Sequence, residues 1–492
     1  MGVIQRQSIK NFITTYIGII IGFVSLIWIQ PNFLTKDELG LTRLLYSFSM
    51  LVAVFIPLGI GNATTKYFPL FKDEKKKHHG YLAFMMIFPV IGYLMSCVVL
   101  YSFKDFFIDQ YRRESPLFIE FYTYVFPLTI IISLIACLNV YCYSNYKSTV
   151  PAFLNDVVAR ILVIAVITLY YMRWITFTQF ISCYVALYGL QLILLFGYIF
   201  FFDKLTFTID WKFFREKNFF KLINYGMLLW FAGVASIGLK YFDTIMIGKF
   251  MPLSFVAIYS IAVFIPTIIE APLGAIERIA ASKIAFAWVE NNHKEILDIY
   301  KKSTLYMLVI GGLLFLGVNI NIKTLFTFLP KGYEQGSIVV LILSISTLFN
   351  MATGLNAPIL FNSEKYKYGA VFLISLAVIA LIFQMLFIPL FGLEGAALAT
   401  AGASVSYNLA LYFFVWKNFQ LQPFDSINIK IVLLIVSLFL FNYLLPTIDN
   451  RYFDIAYRSA IITMLYVGAV YVLKIIPEFH KYLPWIKNKK SD

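Results

Sequence analysis

Charged residues are scarce in this chain of 492 residues, since Asp, Glu, Lys and Arg together make up only 13%. Soluble domains carry about 25% charged residues and about 45–50% apolar residues. Here 60% of the residues are hydrophobic and the mean hydropathy is +0.79. A soluble protein cannot bury so much apolar surface. The composition therefore excludes a soluble enzyme, a soluble scaffold and a disordered protein, and it predicts a chain surrounded by lipid.

Cysteine and histidine are also rare, with four residues of each type. No Cys-x-x-Cys occurs and the histidines lie in charged, loop-like stretches, so we expect no disulfide scaffold, no metal or redox site and no cofactor. The motifs HExxH, GxSxG, GxGxxG and the P-loop are missing, which argues against an enzyme. The residues concerned are Cys97, Cys137, Cys142, Cys183, His78, His79, His293 and His480.

Long apolar windows are what the sequence has in abundance. A membrane-spanning helix needs about 20 mostly apolar residues, and about twelve windows of this kind contain no charged residue. Two weaker segments, 149–172 and 459–473, bring the predicted total to about fourteen transmembrane helices in an all-α polytopic fold. The twelve windows are 11–35, 44–65, 80–103, 121–146, 174–202, 222–239, 250–269, 303–322, 335–363, 368–393, 395–416 and 431–448.

The net charge of +14 comes from lysines and arginines in the short loops between these windows. If the N-terminus is cytoplasmic, the cytoplasmic segments hold about 27 basic residues and the opposite side about 11. This asymmetry predicts that both termini lie in the cytoplasm. Membrane topology thus accounts for the excess of basic over acidic residues. We therefore expect the lipid bilayer, and not nucleic acid, as a partner.

A faint internal repeat indicates how the helices are grouped. Residues 34–61 and residues 247–276 both contain Tyr-Ser, then Val-Phe-Ile-Pro, then Pro-Leu-Gly, at a separation of about 213 residues. The repeat predicts a six-helix lobe over residues 1–221 and a second over 222–428. Residues 429–492 would add two helices and a basic cytoplasmic tail.

Charged side chains inside the apolar windows are the candidate functional residues, because each costs about 2.5–3.5 kcal/mol to insert. Asp156 and Arg160 share a helix face and can either pair structurally or contact a substrate. Lys240 and Asp243 leave the same two possibilities open. Glu270 has no evident local partner, which suits a proton carrier or the partner of a cation on another helix. We expect these five side chains to face the protein interior.

Arg43 and Lys66 lie at either end of the second window. A long basic side chain in this position commonly reaches the membrane surface. We therefore interpret both residues as interfacial anchors and leave them out of the candidate site.

Four stretches in a specific order resemble one family of membrane proteins. They are PLGIGNATTKYFP at 57–69, YFDTIMIGKFMPLSFVAIYSIA at 241–262, ENNHKEILDIYKKS at 290–303 and IPLFGLEGAALATAGASVSYN at 388–408. They are similar to segments of the bacterial polysaccharide flippases, a branch of the multidrug/oligosaccharidyl-lipid/polysaccharide exporter superfamily. The resemblance implies two six-helix lobes around a cavity that opens alternately to each side of the cytoplasmic membrane.

The same resemblance implies the substrate. It is an undecaprenyl-pyrophosphate-linked oligosaccharide, moved across the membrane for a surface polysaccharide such as O-antigen, with polymerase or assembly proteins as further partners. A diphosphate needs cationic contacts in a wet cavity, and Arg160 and Lys240 are the two basic residues that remain in the membrane once loops are assigned. We therefore predict that these two side chains hold the head group.

Three alternatives remain open. The lipid II flippase branch has cationic residues in its first helix, whereas window 11–35 has no charge. A multidrug-type, cation-coupled efflux transporter fits the architecture, although the acidic residue of that branch's first helix is missing here. A membrane-embedded enzyme of glycolipid assembly is the third alternative, and detection of glycosyl or acyl transfer would favour it.

Overall fold

The computed structural model describes residues 3–203, 206, 208–216 and 219–475. These residues form helices joined by short turns, and no strand occurs among them. Residues up to Ser260 form one compact unit and residues from Ile261 form a second. Residues 476–492, which include His480 and most of the predicted basic tail, lie outside the described part.

The helices of the first unit run from α1 to α13. They are α1 Val3–Phe23, α2 Gln30–Phe33, α3 Lys36–Ala53, α4 Ile60–Phe71, α5 Tyr81–Ser102, α6 Lys104–Tyr111, α7 Pro116–Glu120, α8 Val125–Ser144, α9 Thr149–Phe153, α10 Ala159–Tyr171, α11 Phe177–Phe202, α12 Trp211–Glu216 and α13 Phe219–Phe250. Helix α3 packs against α8 and α13, and α4 packs against the same two helices. Helix α1 packs along the segment from α9 to α10.

The remaining helices begin with α14, which crosses the boundary between the units. They are α14 Leu253–Phe264, α15 Thr267–Val289, α16 His293–Asn319, α17 Ile322–Phe326, α18 Gly336–Thr353, α19 Asn356–Phe361, α20 Tyr366–Phe419, α21 Ser426–Phe441 and α22 Arg451–Val472. Helix α16 is the centre of the second unit and packs against α15, α18, α21 and α22.

The all-α membrane fold predicted from the apolar windows is confirmed, because every window coincides with one or more helices. Within the described residues, ten helices are long and apolar enough to cross a bilayer. The number rises to eleven if the bent pair Leu253–Phe264 and Thr267–Gly274 is one span. The 54-residue α20 holds two predicted windows and breaks at Gly392, whose φ of 59° suits glycine. Fourteen crossings and the cytoplasmic termini stay predictions.

The lobe boundary predicted after residue 221 also stays a prediction. In the structure, α13 follows that point and packs along α3 and α4 of the first unit. A close backbone contact explains part of this packing. A side chain on Gly59, which has a φ of 80°, would place its Cβ 2.1 Å from the carbonyl oxygen of Gly226.

Two helix starts differ from the sequence prediction. The predicted window 250–269 breaks before Pro266, so that Glu270 lies in the first turn of α15 and not near the end of a continuous span. The last helix begins at Arg451, eight residues before the predicted start at 459. It tolerates the buried charge of Arg458 because Asp454 lies one turn away and pairs with it at 3.0 Å.

Candidate functional site

Two turns of π-helix interrupt the first unit, and both lie beside candidate charges. The first, Val24–Ile29, joins α1 to α2, and the second, Leu154–Val158, joins α9 to α10 and carries Asp156. Turns of this kind leave backbone groups poorly paired, and they occur frequently at functional sites. The apolar windows give no sign of them.

Arg160 lies against the first helix. Its Nη1 donates a hydrogen bond to the carbonyl oxygen of Gly18. A Cβ on Gly22 would lie 1.7 Å from the same Nη1, so only glycine leaves room for the guanidinium there. The first apolar window, 11–35, which has no charge of its own, thus receives one from α10. Gly18 and Gly22 are four residues apart, as are Asp156 and Arg160. This equal spacing was the sequence signal for a close contact between the two helices.

Asp156 and Arg160 share a helix face and attract each other electrostatically. Within the described residues no ion pair of 4.0 Å or less joins them, so of the two possibilities left open by the sequence, a close structural pair is not the one seen here. Asp156 accepts a hydrogen bond from Thr15 Oγ1 at 3.4 Å, and its backbone lies against Gly18. Both side chains have turned towards α1, which supplies them with polar partners.

Arg43, which the sequence analysis left out, belongs to the same region. Its Nη2 donates a hydrogen bond to Gln30 Oε1, and the Gln30 amide donates to Ser25 Oγ at 2.9 Å. Its Nε is buried without a hydrogen-bond partner among the described residues. Arg43 and Arg160 are close enough to interact electrostatically, so two guanidinium groups repel each other inside one unit. The side chain of Arg43 is thus half-buried and held by Gln30, whereas its interpretation as an interfacial anchor stays a prediction.

Four tyrosines line the space beside Arg43. The ring of Tyr46 stacks on Tyr188 at 5.7 Å and meets the edge of Tyr241 at 6.1 Å. The hydroxyl oxygens of Tyr184 and Tyr188 are 3.5 Å apart. All four phenols interact electrostatically with Arg43. We call Arg43, Arg160, Tyr46, Tyr184, Tyr188 and Tyr241 the arginine–tyrosine cluster.

Lys240 and Asp243 point to different neighbours. Lys240 is exposed, and its Nζ lies 5.7 Å from the ring centre of Tyr241, at the edge of the arginine–tyrosine cluster. Asp243 is 7% exposed and accepts a hydrogen bond of 2.6 Å from Tyr259 Oη. The cation of this predicted pair is therefore open to a ligand, whereas the carboxylate is held inside the unit.

Glu270 is the one predicted site residue in the second unit. It is exposed in the first turn of α15 and interacts electrostatically with Glu277, two turns further along the helix. Among the described residues, no group of three or more His, Cys, Asp or Glu side chains could hold a metal ion.

A second polar cluster, outside the apolar core, joins the turn before α5 to the segment before α12. His78 Nε2 lies 3.4 Å from Asp203 Oδ1, and His79 Nδ1 lies 3.0 Å from Asp210 Oδ2. The His79 ring stacks on Phe213 at a centroid distance of 3.6 Å. Hydrogen bonds from His79 and from the Phe213 backbone lower the pKa of the Asp210 carboxyl. We call this arrangement the histidine latch.

Comparison with known proteins identifies the family. The model of the family described as polysaccharide biosynthesis protein matches residues 5–282 of the chain. The chain belongs to this family. A relative from Methanocaldococcus jannaschii, described as an uncharacterized membrane protein, is 25% identical and the match covers 91% of each chain.

Solved structures of low sequence identity share the fold. Lipid II flippase MurJ, in an inward closed conformation, superposes with a TM-score of 0.73 at 17% identity, over 97% of this chain and 99% of MurJ. An inward-facing multidrug resistance transporter of the MATE family superposes with a TM-score of 0.64 at 13% identity, over 85% of this chain and 95% of the other. The protein is thus a multi-pass membrane protein with the fold of this exporter superfamily.

Proposed function

We propose that this protein moves an oligosaccharide linked to undecaprenyl pyrophosphate from the cytoplasmic to the outer leaflet of the cytoplasmic membrane, by alternating access. The product would serve the synthesis of a surface polysaccharide such as O-antigen. Membership of the polysaccharide biosynthesis family and the exporter fold support the reaction class. The choice of substrate rests on the chemistry of the arginine–tyrosine cluster.

The observation that carries the proposal is the juxtaposition of Arg43 and Arg160. The two guanidinium groups repel each other, although Asp156 attracts Arg160 more strongly, and the buried Arg43 Nε has no hydrogen-bond partner among the described residues. An anion bound between them would remove the repulsion and supply a partner for this Nε. Guanidinium forms paired hydrogen bonds with phosphate oxygens. A diphosphate offers several such oxygens, so it can bind both side chains at once.

The tyrosines beside the arginines suit the sugar side of the same substrate. A phenol provides an apolar face against which a sugar ring can pack, together with a hydroxyl that both donates and accepts hydrogen bonds. Tyr46, Tyr188 and Tyr241 pack on one another next to Arg43 and are half-buried, so part of each ring remains for such a contact. An elongated glycan could therefore extend from the arginines across the aromatic surface.

The other predicted residues take secondary roles in this proposal. Lys240 lies at the edge of the cluster and would give the diphosphate a second contact as it moves. Asp156 would restrain Arg160 in the empty state through their mutual attraction. Asp243 would maintain the local fold through Tyr259, and Glu270 would carry a proton or a coupling cation in the second unit.

The test is transport by the full-length protein in liposomes. The probe is undecaprenyl pyrophosphate carrying a fluorescent oligosaccharide, and the readout is its protection from a membrane-impermeant quencher. A charge-assisted hydrogen bond contributes about 1.5–3 kcal/mol, so Arg43→Gln and Arg160→Gln should each slow transport by about 10- to 100-fold. Arg43→Lys should retain part of the rate, because the charge remains while the paired geometry is lost.

The matched control is Arg113→Gln, since Arg113 is 94% exposed in the loop before α7. It should transport at the wild-type rate. If the folded Arg43→Gln and Arg160→Gln proteins also transport at that rate, the head group binds elsewhere. If the wild-type protein does not move the probe but exports a lipophilic cation, the multidrug alternative is correct.

A further inference from the structure

A deep apolar groove opens on the first unit, away from the arginine–tyrosine cluster. It lies between α3, α5, α6 and α13 and has a volume of about 530 Å³. Ligand sites commonly have volumes of about 300–1,000 Å³. Its walls are formed by side chains such as Leu51, Phe55, Val99 and Ile245, and none of its lining residues belongs to the cluster.

The groove runs lengthwise along the second half of the candidate span Lys77–Ser102. On α5 its lining begins at Gly92 and continues to Leu100, just before the helix ends at Ser102. These nine residues of α-helix span about 13 Å, which is close to half of a hydrocarbon core of about 30 Å. At Gly92 the groove is closed, because a Cβ there would lie 2.0 Å from the carbonyl oxygen of Ile56. The groove thus has the depth of a single leaflet.

The open end of the groove carries its polar groups. Gln110, Tyr111 and Lys249 line it there, and Lys249 is the one side chain with a formal charge among the lining residues described. Tyr111 Oη donates a hydrogen bond of 3.3 Å to the Ile245 carbonyl oxygen, which fixes α6 on the end of α13. A single lysine is therefore held at the level where a leaflet has its head groups.

The walls are formed before any ligand binds. The helix break after Ala53 releases the Val54 carbonyl oxygen, which accepts a hydrogen bond of 3.1 Å from Trp230 Nε1. The Trp230 ring meets the edge of Phe55 at 5.8 Å. A preformed wall lowers the ordering cost of binding. Met95 and Val99 are 59% and 50% exposed, so the groove is open along its length to a chain in the surrounding lipid.

We propose that this groove binds one acyl chain of an anionic phospholipid, with the lipid phosphate at Lys249. The groove suits such a lipid because it is apolar and about as deep as one leaflet. It is closed at its inner end and carries one positive charge at its outer end. The single lysine complements the single charge of a phosphodiester, whereas the paired arginines of the cluster complement a diphosphate. The site is independent of the transported substrate and goes beyond the proposed transport.

The experiment uses the full-length protein in phosphatidylcholine liposomes that contain phosphatidylglycerol with a photoreactive diazirine in one acyl chain. After illumination, labelled peptides are mapped by mass spectrometry. We expect labelling of residues 92–102 and of Phe106 and Phe107. Ser96→Trp, which fills the groove, should abolish this labelling, whereas Ile193→Trp at a 68% exposed position on α11 should not. If Ser96→Trp does not fold, Met95→Trp replaces it.

The role of the Lys249 charge is tested by comparing the phosphatidylglycerol probe with the same photoreactive lipid that carries a phosphatidylcholine head group. One lysine near the surface favours an anionic lipid by about fivefold, so Lys249→Gln should lower the preference for phosphatidylglycerol by that factor. The matched control, Lys323→Gln in the second unit, should leave it unchanged. Equal labelling of wild-type protein by both head groups, or undiminished labelling in the folded Ser96→Trp or Met95→Trp protein, contradicts the proposal. Displacement by undecaprenyl phosphate but not by phosphatidylglycerol would show that the groove holds the carrier chain instead.

Discussion

Arg458 in the second unit and the two arginines of the first unit show two ways of keeping a guanidinium inside a membrane protein. Arg458 is 6% exposed, and its Nε lies 3.0 Å from Asp454 Oδ1. Its remaining donors reach Asn442 Oδ1 at 2.8 Å and backbone carbonyl oxygens between Asn442 and Pro446 at 3.1–3.4 Å. Asp454 in turn accepts hydrogen bonds from Thr324 and from the Ile448 backbone. This site is complete without a ligand.

Arg43 and Arg160 are only partly satisfied. Each donates one side-chain hydrogen bond within the described residues, to Gln30 and to Gly18 respectively. Neither forms an ion pair of 4.0 Å or less there, and each is placed beside the other. In our proposal, the number of donors left over therefore separates a structural arginine from a ligand-binding one. Depth in the membrane or sequence spacing alone does not.

The largest expected effect is on stability, at the Arg458 site, which is complete without a ligand. Arg458→Gln leaves the Asp454 carboxylate buried without its counter-charge, which should lower the free energy of unfolding by about 3–5 kcal/mol. Thermal unfolding in detergent measures this. The double variant Arg458→Met with Asp454→Leu should recover much of the loss, because neither charge remains. A single variant as stable as wild type would mean that the network contributes nothing.

The next prediction concerns Arg160, where we expect a large effect on binding and a small effect on stability. Arg160→Gln removes both the attraction to Asp156 and the repulsion by Arg43, which oppose each other. The free energy of unfolding should therefore change by less than about 1 kcal/mol, while affinity for the diphosphate falls by about 10- to 100-fold. Binding of undecaprenyl pyrophosphate in detergent, followed by intrinsic fluorescence, measures the affinity. A stability loss as large as that of Arg458→Gln would place Arg160 among the structural arginines.

A glycine tests the positioning of Arg160 without altering any charge. Gly22→Ala inserts a Cβ where the guanidinium now lies, so Arg160 must move, at a cost of about 1–3 kcal/mol. Transport should fall together with stability. Gly197→Ala on α11 is the matched control, because nothing lies within 4 Å of its added Cβ and alanine favours helix there. Equal transport by both alanine variants would show that the position of Arg160 on α1 is unimportant.

Apolar windows and loop charges were sufficient to predict the helices, because twenty apolar residues have few other stable arrangements in lipid. Only part of the candidate site could be predicted from these windows. Asp156 and Arg160 stand out as charges within a window, whereas Arg43 lies at the edge of one and looks like an anchor. Its partners come from α2, α11 and α13, which are distant in sequence. Window hydropathy also does not register the break before Pro266 or the start of the last helix at Arg451, which the pairing of Arg458 with Asp454 permits.

The smallest expected effect is acid sensitivity of the histidine latch. Because hydrogen bonding lowers the pKa of Asp210 below its ordinary value of 3.8, its carboxylate stabilises the fold above that value. This stabilisation is lost as the pH falls through the lowered pKa. Hydrogen exchange of residues 208–216 should therefore speed up on acidification from pH 5 towards pH 3 in the wild-type protein, beyond the intrinsic change.

Asp210→Asn should exchange faster at pH 5 and lose most of this pH dependence. Asp298→Asn, which removes an exposed ion pair with Lys302 on α16, is the matched control and should behave as wild type. An unchanged acid response in Asp210→Asn would mean that another group, such as Asp73 with its similarly lowered pKa, controls this turn.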